Sequence, residues 1–257
     1  MVWRRWGDER PLVLLHGASG SWTHWIRNIP ALAAGHAVLA PDMPGFGDSG
    51  PLPEPHTAER LAAGVAAGLA RVLSPAAELD LAGFSLGGIV AGLLAARLGA
   101  RVGRLALVGP GGMALPTGID GVVLARVEDG MSEAEVRGVH RDNLRRLMLA
   151  DPRAADDLAV HVQTDNLRRA RFRSGAIPTS DVLLRALPAI RARLGAIFGE
   201  RDVFVGGHLA ERRQTLGRWH PAVDFRVVAR AGHWVNYEAP DCVNRALLEM
   251  LAAPAGR

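Results

Sequence analysis

Short apolar runs alternate with longer, helix-like segments along most of the chain. Leu12-Val13-Leu14-Leu15 and Leu105-Ala106-Leu107-Val108 are continuous apolar runs, as strands buried on both faces of a parallel sheet require. Further strands are predicted at 37–40, 79–82, 194–198 and 224–228, with a short edge strand at 2–6. This alternation predicts an α/β fold with a mostly parallel sheet flanked by helices.

Helical periodicity fills the intervals between these strands. Thr57 is predicted to cap a helix that ends near Leu73. A second helix is expected at 88–98, and Pro240 is expected to open the C-terminal helix. Residues 252–257 are expected to fray at the end of that helix.

The strand–helix rhythm stops between Met113 and Ile177. Ser132-x-x-Glu135 is a capping box, which predicts one helix there, and Asp151-Pro152 predicts the start of another. A helical insertion between two sheet strands would lie over their carboxyl ends, where α/β sites form. We therefore predict a core of residues 1–112 and 178–257 and a helical lid of residues 113–177, inserted after the strand near residues 104–108.

Composition favours one large domain with an insertion. The chain has 257 residues, 49% of them hydrophobic, and one cysteine. A disulfide within the chain is therefore excluded, and Cys242 is expected to be a small core residue of the last helix. The amino-terminal residues contain no apolar h-region, so no signal peptide is expected, and no apolar stretch is long enough to span a membrane. A soluble, cytoplasmic protein is expected.

The positive charge of the chain comes from arginine alone. All 30 basic residues are arginines, and the net charge is +4. No basic run is interleaved with aromatic residues, so nucleic-acid binding is not expected. The expected partner is a small-molecule substrate; no membrane partner is expected, and a homodimer is an allowed assembly.

A tight turn joins the strand at 79–82 to the helix at 88–98. Its sequence is Gly83-Phe84-Ser85-Leu86-Gly87, the Gly-x-Ser-x-Gly pattern of a nucleophile elbow. Glycine suits both ends because a Cβ there would collide with the neighbouring strand or helix. Such a turn exposes the Ser85 hydroxyl at the top of a sheet.

Two more reactive side chains follow late strands. Asp202 comes after the strand at 194–198, and His233 comes after the strand at 224–228. A serine hydroxyl needs a nearby base to accept its proton, and a buried carboxylate orients that base. The chain order Ser85, Asp202, His233 is the order found in α/β-hydrolases.

Other assignments are open at this stage. His16 or His24 in the early loops could be the base. Asp42 could be the triad carboxylate instead of Asp202, and Asp202 could serve merely as the N-cap of a helix. A G-x-G-x-x-G pattern also occurs at Gly45, Gly47 and Gly50. Prolines follow it instead of a prompt helix, which favours a tight loop over a dinucleotide site. No cofactor and no metal are expected.

Several motifs together give the chain a family resemblance. They are His16-Gly17, Asp42-x-Pro44-Gly45-x-Gly47-x-Ser49, the elbow at 83–87, Gly199-x-x-Asp202 and Gly232-His233-x-x-x-x-Glu238-x-Pro240. The chain resembles α/β-hydrolases of the lidded esterase and carbon–carbon-bond-hydrolase type. The resemblance implies a Ser85–His233–Asp202 triad and an oxyanion hole formed by the backbone N–H groups of Ala18 and Leu86.

The resemblance leaves three functions open. The first is hydrolysis of an ester of a small apolar substrate through an acyl-enzyme. The second is cleavage of a carboxylated vinylogous diketone, with the lid residue Arg168 binding the carboxylate. Such enzymes resemble this chain in having a tryptophan directly after the histidine, here Trp234. They tend to carry asparagine directly before the nucleophile, where this chain has Phe84. The third is slow-turnover ligand sensing; Phe84, Arg168 and Trp234 are the candidate substrate-binding residues.

Overall fold

The computed structural model of the chain describes residues 1–252. The strands are β1 (Val2–Trp6), β2 (Pro11–Leu15), β3 (Ala37–Asp42), β4 (Leu79–Phe84), β5 (Val102–Val108), β6 (Arg193–Gly199) and β7 (Asp224–Val228). The helices are α1 (Ile29–Leu32), α2 (Ala58–Leu69), α3 (Leu86–Leu98), α4 (Glu133–Leu147), α5 (Asp157–Arg169), α6 (Val182–Ala186), α7 (Leu209–Trp219), α8 (Val235–Glu238) and α9 (Pro240–Ala252). Among the described residues, no helix is long and apolar enough to cross a membrane. Of the tail predicted to fray, residues 253–257 lie outside the described residues.

The seven strands form one sheet in the order β1-β3-β2-β4-β5-β6-β7. β1 pairs antiparallel with β3 at one edge, and all other neighbouring strands are parallel. The mostly parallel α/β sheet predicted from the sequence is therefore confirmed. Because β4, β5, β6 and β7 are parallel neighbours, the loops after them meet at one edge of the sheet.

Apolar side chains on the two faces of the sheet build two core layers. Along β2, Val13 and Leu15 belong to the layer that packs under α2 and α3. Leu12 and Leu14 point to the opposite face, where the layer includes residues of α1 and α9. The continuous apolar runs in the sequence reflect this burial on both faces.

Two predicted helix bounds are wrong. α2 ends at Leu69 rather than near Leu73, because the N–H groups of Arg71 and Val72 bond carbonyls three residues back instead of four. Asp151-Pro152 opens only a short 3₁₀ turn, and the helix starts six residues later, where the Asp156 carboxylate accepts the Ala159 N–H at 2.8 Å.

Cys242 is also placed differently from the prediction. It lies on α9, but it is exposed. The buried face of that helix is formed by other residues, including Val243, Leu247 and Leu251. Position 242 therefore falls on the solvent side of the helical repeat.

The insertion between β5 and β6 folds back onto the core. Its first helix, α4, begins with the predicted capping box: the Ser132 hydroxyl accepts the Glu135 N–H, and the Glu135 carboxylate accepts the Ser132 N–H at 2.7 Å. After α5 the chain docks on the glycine loop, where the Gly45 carbonyl accepts the N–H groups of Arg171 and Phe172. The loop of Gly45, Gly47 and Gly50 is therefore held by the end of the insertion through the Gly45 carbonyl. The assignment of residues 113–177 as a separate lid domain stays a prediction.

Candidate active site

Ser85 lies on a strained turn between β4 and α3. Its φ and ψ angles are 53° and −116°, a conformation that non-glycine residues rarely adopt. A Cβ at Gly83 would lie 2.2 Å from the Gly87 carbonyl oxygen, and one at Gly87 would lie 2.3 Å from that of Leu15. The backbone around the turn is thus packed too closely for any other residue at either glycine.

Ser85, His233 and Asp202 form a continuous chain of hydrogen bonds. The His233 Nε2 atom lies 3.0 Å from the Ser85 Oγ atom, and the His233 Nδ1 atom lies 2.8 Å from Asp202 Oδ2. A carboxylate can only accept a hydrogen bond, so Nδ1 donates to it and Nε2 is left to accept from the serine hydroxyl. Three loops of one sheet edge therefore place a hydroxyl, a base and a carboxylate in the order that general-base activation of a nucleophile requires.

The surroundings of His233 hold the imidazole in place and leave little of it exposed. His233 is 4% exposed and Asp202 is 3% exposed. The rings of Phe84 and Phe204 lie 5.1 and 4.3 Å from the imidazole, between ring centroids. The second carboxylate oxygen of Asp202 accepts the backbone N–H of Phe204 at 2.8 Å, which fixes the carboxylate plane.

Arg212 of α7 lies buried beside this chain of groups. Its guanidinium donates to the backbone carbonyls of Phe204 at 2.8 Å, Pro116 at 2.9 Å and His208 at 3.0 Å. Burial lowers the pKa of Arg212, while the negative charge of Asp202 opposes that shift. Arg212 thus ties the loop after β5 to the loop that carries Asp202.

Two backbone N–H groups flank the serine. Leu86 is the first residue of α3, so its N–H has no acceptor within its own helix. Ala18, in the loop after β2, lines the same space as Ser85. A carbonyl carbon attacked by Ser85 would therefore have the two sequence-predicted donors, Ala18 and Leu86, in its neighbourhood.

Two cavities have Ser85 in their lining. The first has a volume of about 280 Å³ and is lined by the loop after β5 and the loop after β6, including Met113 and Val205. The second has a volume of about 270 Å³ and is lined by side chains of α4 and α5, including Leu144 and Leu167. Both cavities share Ala18, Ser85, Phe204 and His233. The reactive groups therefore lie at the junction of two mainly apolar compartments.

The structure separates the three predicted substrate-binding residues. Phe84 lines the second cavity. Trp234 is fully buried, donates from Nε1 to the His24 carbonyl at 3.1 Å, and lines neither cavity. Arg168 is exposed on α5 and also lines neither cavity. Of the three, only Phe84 is positioned to contact a molecule beside Ser85.

The alternative acid and bases lie elsewhere in hydrogen-bond networks of their own. The Asp42 carboxylate accepts the N–H groups of Trp22 and Asp48, both at 3.0 Å, and pairs with Arg4. It therefore holds two loops rather than a histidine. His16 and His24 bond the backbone of the loop after β2, and the histidine that reaches Ser85 is His233.

Three residues of the site escape prediction from the sequence. Phe204 and Arg212 lie in and after the turn that starts at Asp202, and Gly109 adopts a φ of 52° directly after β5. A Cβ at Gly109 would lie 3.4 Å from both Asp202 and His233. The Gly109-Pro110-Gly111-Gly112 run signals a turn, but nothing local indicates that this turn forms a cavity wall. Within residues 1–252, no group of three or more side chains is arranged to hold a metal ion.

Comparison with known proteins identifies relatives over nearly the whole chain. The sequence profile described as "Alpha/beta hydrolase family" matches residues 12–246. The chain is 31% identical over 255 residues to the dihydrolipoyllysine-residue acetyltransferase component of the acetoin cleaving system of Pseudomonas putida; the match covers 97% of this chain and 66% of that longer protein. It is 28% identical over 262 residues to the 2-hydroxy-6-oxo-6-phenylhexa-2,4-dienoate hydrolase of Burkholderia cepacia, covering 96% of this chain and 89% of the relative.

A solved structure of an esterase, rather than of a dienoate hydrolase, shares the fold. Naproxen esterase (carboxylesterase NP) from Bacillus subtilis superposes with a TM-score of 0.78 at 22% identity, covering 97% of this chain and 86% of the esterase. At that identity the similarity shows the fold alone. Carbon–carbon-bond hydrolases and carboxylesterases are therefore both among the proteins that this chain resembles.

Proposed function

The chain belongs to the alpha/beta hydrolase family, and we propose that it hydrolyses carboxylic esters through a Ser85–His233–Asp202 catalytic triad. The observation that carries this proposal is the chain of hydrogen bonds, with 3.0 Å from Ser85 Oγ to His233 Nε2 and 2.8 Å from His233 Nδ1 to Asp202 Oδ2. These are the contacts that serine activation by a base and orientation of that base require.

The proposed reaction has two half-reactions. Ser85 Oγ forms a bond to the ester carbonyl carbon while its proton passes to His233 Nε2. The tetrahedral intermediate collapses: the C–O bond to the alcohol breaks, and His233 returns the proton to the leaving oxygen. Water then attacks the acyl-enzyme, giving its proton to His233, and the acid leaves as Ser85 regains its proton. Asp202 stabilises the imidazolium that forms in both halves.

Two N–H groups would stabilise the negative charge that develops on the carbonyl oxygen. These are the N–H of Leu86, at the amino end of α3, and the N–H of Ala18, which lines both cavities. Removing one such donor from a serine hydrolase lowers kcat by about 10²–10³-fold. The helix amino terminus adds a favourable dipole at the same point.

The cavities favour a substrate without a carboxylate. Arg212 is the one arginine among the described residues that lines either cavity. Both hydrogens of its Nη2 atom are donated, to Pro116 and Phe204. Because each two-nitrogen edge of a guanidinium that can bind a carboxylate includes Nη2, no such edge is left for a ligand. Arg168, the arginine proposed from the sequence, is exposed outside both cavities.

The helical insertion would act as a lid that defines the second compartment. Leu144 and Leu147 of α4 and Leu167 of α5 line that cavity. Their apolar side chains suit an apolar acyl or alcohol group, and the first cavity would take the other group. We therefore assign residues 113–177 as a lid that selects the substrate.

A substrate panel tests this proposal. Esters of graded acyl and alcohol size would be assayed beside a 2-hydroxy-6-oxo-dienoate, with the wild-type protein and the Ser85→Ala variant. The proposal expects ester turnover at a kcat of at least about 1 s⁻¹, the loss of that turnover in Ser85→Ala, and little cleavage of the dienoate.

The similarity to the dienoate hydrolase of Burkholderia cepacia keeps carbon–carbon-bond cleavage as the second candidate. Cleavage of the dienoate with a kcat/KM above that of every ester would overturn the ester proposal. Stoichiometric acylation of Ser85 without turnover, combined with a ligand-induced rise in Tm, would instead indicate a ligand sensor on the same fold.

A further inference from the structure

Two buried histidines hold the loop that follows β2 from both sides of one glycine. His16 Nδ1 lies 2.8 Å from the Gly17 carbonyl oxygen, and the Gly17 N–H donates to His24 Nδ1 at 3.1 Å. The exposed fractions are 0% for His16 and 1% for His24. Neither side chain takes part in the proton transfers described above, although both bond Gly17, the residue that precedes Ala18.

The partners define the tautomer of each ring. The Met43 N–H donates to His16 Nε2 at 2.9 Å, so the ring proton of His16 is on Nδ1, and Nδ1 donates to the Gly17 carbonyl. His24 accepts at Nδ1, so its proton is on Nε2, which is buried without a partner. Burial lowers the pKa of His16 to about 4 and the pKa of His24 well below its usual value. Both rings therefore remain neutral near neutral pH, as these bonds require.

The bond to the Gly17 carbonyl has a consequence for Ala18. The Gly17 C=O and the Ala18 N–H belong to one planar, trans peptide unit, in which the two groups point in opposite directions. Fixing the oxygen toward His16 directs the N–H away from His16. Ala18 lines both cavities beside Ser85, which is the side where an oxyanion would form.

Close packing leaves this peptide little room to rotate. A Cβ at Gly17 would lie 2.9 Å from the Phe84 ring and 3.3 Å from His24 Nδ1. A Cβ at Gly20 would lie 2.2 Å from the His24 ring. The glycines of this loop thus allow the His24 ring to lie close against the loop backbone.

We propose that His16 and His24 are positioning residues that orient the Ala18 N–H toward the developing oxyanion. His16 does so by donating to the Gly17 carbonyl, and His24 by accepting the Gly17 N–H. This role rests on the proposed ester hydrolysis at Ser85, which supplies the oxyanion.

Two amide substitutions at position 16 separate this role from a purely structural one. The amide of asparagine reaches the place of Nδ1, so His16→Asn keeps a donor to the Gly17 carbonyl and loses the acceptor for Met43. The amide of glutamine reaches the place of Nε2, so His16→Gln keeps the acceptor and loses the donor. His16→Gln is expected to lower kcat for an ester by about 10–100-fold with little change in KM, whereas His16→Asn stays near the wild type. Equal kcat in both variants, or a larger loss in His16→Asn, would overturn the role of His16.

Substrate chemistry supplies a readout that stability alone does not change. The sulfur of a thionoester accepts hydrogen bonds poorly, so the ratio of ester to thionoester kcat/KM reports on the oxyanion donors. That ratio is expected to fall in His16→Gln and to be preserved in His16→Asn. A ratio that stays at the wild-type value in His16→Gln contradicts the proposal.

Position 24 gives an independent pair if a variant at position 16 fails to fold. His24→Asn keeps an acceptor near Nδ1 and is expected to preserve the ratio, whereas His24→Gln is expected to lower it. His36→Gln is the matched control, because His36 also bonds a backbone carbonyl, that of Leu32, at 3.2 Å but lies in another loop. Persistent turnover in Ser85→Ala would refute the ester hydrolysis itself; loss of turnover there with unchanged ratios in all four histidine variants would refute only this inference.

Discussion

Asp202 and Asp42 show how two buried acids acquire different roles from their partners. Asp202 is 3% exposed and Asp42 is 1% exposed; Asp42 ends β3, and Asp202 lies three residues after β6. Asp202 bonds the imidazole of His233, whereas Asp42 bonds backbone N–H groups and Arg4. We therefore propose Asp202 as the triad carboxylate because of its bond to His233, since burial alone does not distinguish it from Asp42.

This difference predicts opposite outcomes for the same substitution. Asp202→Asn is expected to lower kcat for an ester by about 10³–10⁴-fold, because an amide no longer holds the required tautomer of His233 or stabilises the imidazolium. Asp42→Asn is expected to lower the free energy of unfolding by about 1–3 kcal/mol with a far smaller effect on kcat. Steady-state kinetics and urea unfolding of both variants check this; a larger kcat loss in Asp42→Asn would contradict the assignment.

Residues with strong local signals could be identified from the sequence. Ser85 stands in a glycine-bounded turn, and Asp202 and His233 each follow a strand in the family's chain order. Arg212 carries no local signal, because its three carbonyl partners come from two loops that meet only in the folded chain. Arg168 shows the converse: its position in an arginine-rich stretch suggested ligand binding, yet the helix turns it to solvent.

At the level of elements, the β4–α3 turn depends on its glycines. A Cβ at Gly87 would meet the carbonyl oxygens of Leu15 and His16 at 2.3 and 2.5 Å, and these are backbone atoms of a central strand and its loop. Gly138, within α4, has nothing within 4 Å of its Cβ position. The two glycines therefore serve different needs, although both are helical.

Alanine substitutions at Gly87 and Gly138 are expected to change the free energy of unfolding in opposite directions. Gly87→Ala is expected to lower the free energy of unfolding by about 3 kcal/mol or more, since backbone atoms cannot move aside cheaply. Gly138→Ala is expected to raise it by about 0.5–1 kcal/mol, because alanine favours a helix interior. Urea unfolding followed by circular dichroism measures both; a neutral Gly87→Ala would show that the turn is looser than described.

The two helices of the insertion differ in how they are anchored. Ser132 caps α4 through exposed contacts with Glu135. Asp156 caps α5 and also accepts the Tyr237 hydroxyl at 2.6 Å and a guanidinium N–H of Arg27. The cap of α5 is thus also a link between the insertion and the core.

Removing each cap tests that link. Ser132→Ala is expected to cost about 1 kcal/mol of unfolding free energy, the value of a cap alone. Asp156→Ala is expected to cost about 2–4 kcal/mol, because the Tyr237 hydroxyl and Arg27 also lose their partner. Equal costs in urea unfolding would mean that the contacts of Asp156 with the core contribute nothing.

The apolar runs and the capping box at Ser132 made most elements predictable. Two possible N-caps in succession made the start of α5 unpredictable. The start of α5 could not be predicted because Asp151 and Asp156 both satisfy the rules for a cap. Asp156 also bonds Tyr237 and Arg27, which lie far away in sequence and carry no local signal.

For the whole molecule, buried neutral histidines make stability depend on pH. The folded state holds His16 with a pKa of about 4, below the ordinary value of 6.5, because burial disfavours its charged form. Between these values the unfolded chain binds more protons than the folded one, so the free energy of unfolding falls as the pH falls.

We expect His16 alone to remove about 2 kcal/mol of stability between pH 7 and pH 5, and His24 to act in the same direction. The measurement is urea unfolding at both pH values for the wild type and His16→Asn. The free energy of unfolding of the variant should fall less between pH 7 and pH 5 than that of the wild type. An equal fall in both proteins would mean that His16 titrates normally in the folded state.

The mostly parallel sheet and the burial of its strands on both faces follow from the apolar runs, whereas the two cavities do not. The cavities arise where the insertion meets the loops after β2, β5 and β6, and their walls combine residues that no single motif contains. The sequence therefore supports the reaction class through local motifs. In the proposed function, the packing of α4 and α5 beside Ser85 selects the substrate.

The central claim is that Ser85 is the nucleophile of an esterase, and covalent labelling tests it most directly. The protein would be treated with a fluorophosphonate, and the adduct located by peptide mass spectrometry while ester hydrolysis is followed in parallel. We predict one adduct per chain, on Ser85, with activity lost in proportion to labelling and no adduct in Ser85→Ala. An adduct on another residue, or full ester hydrolysis after complete labelling of Ser85, would contradict the account.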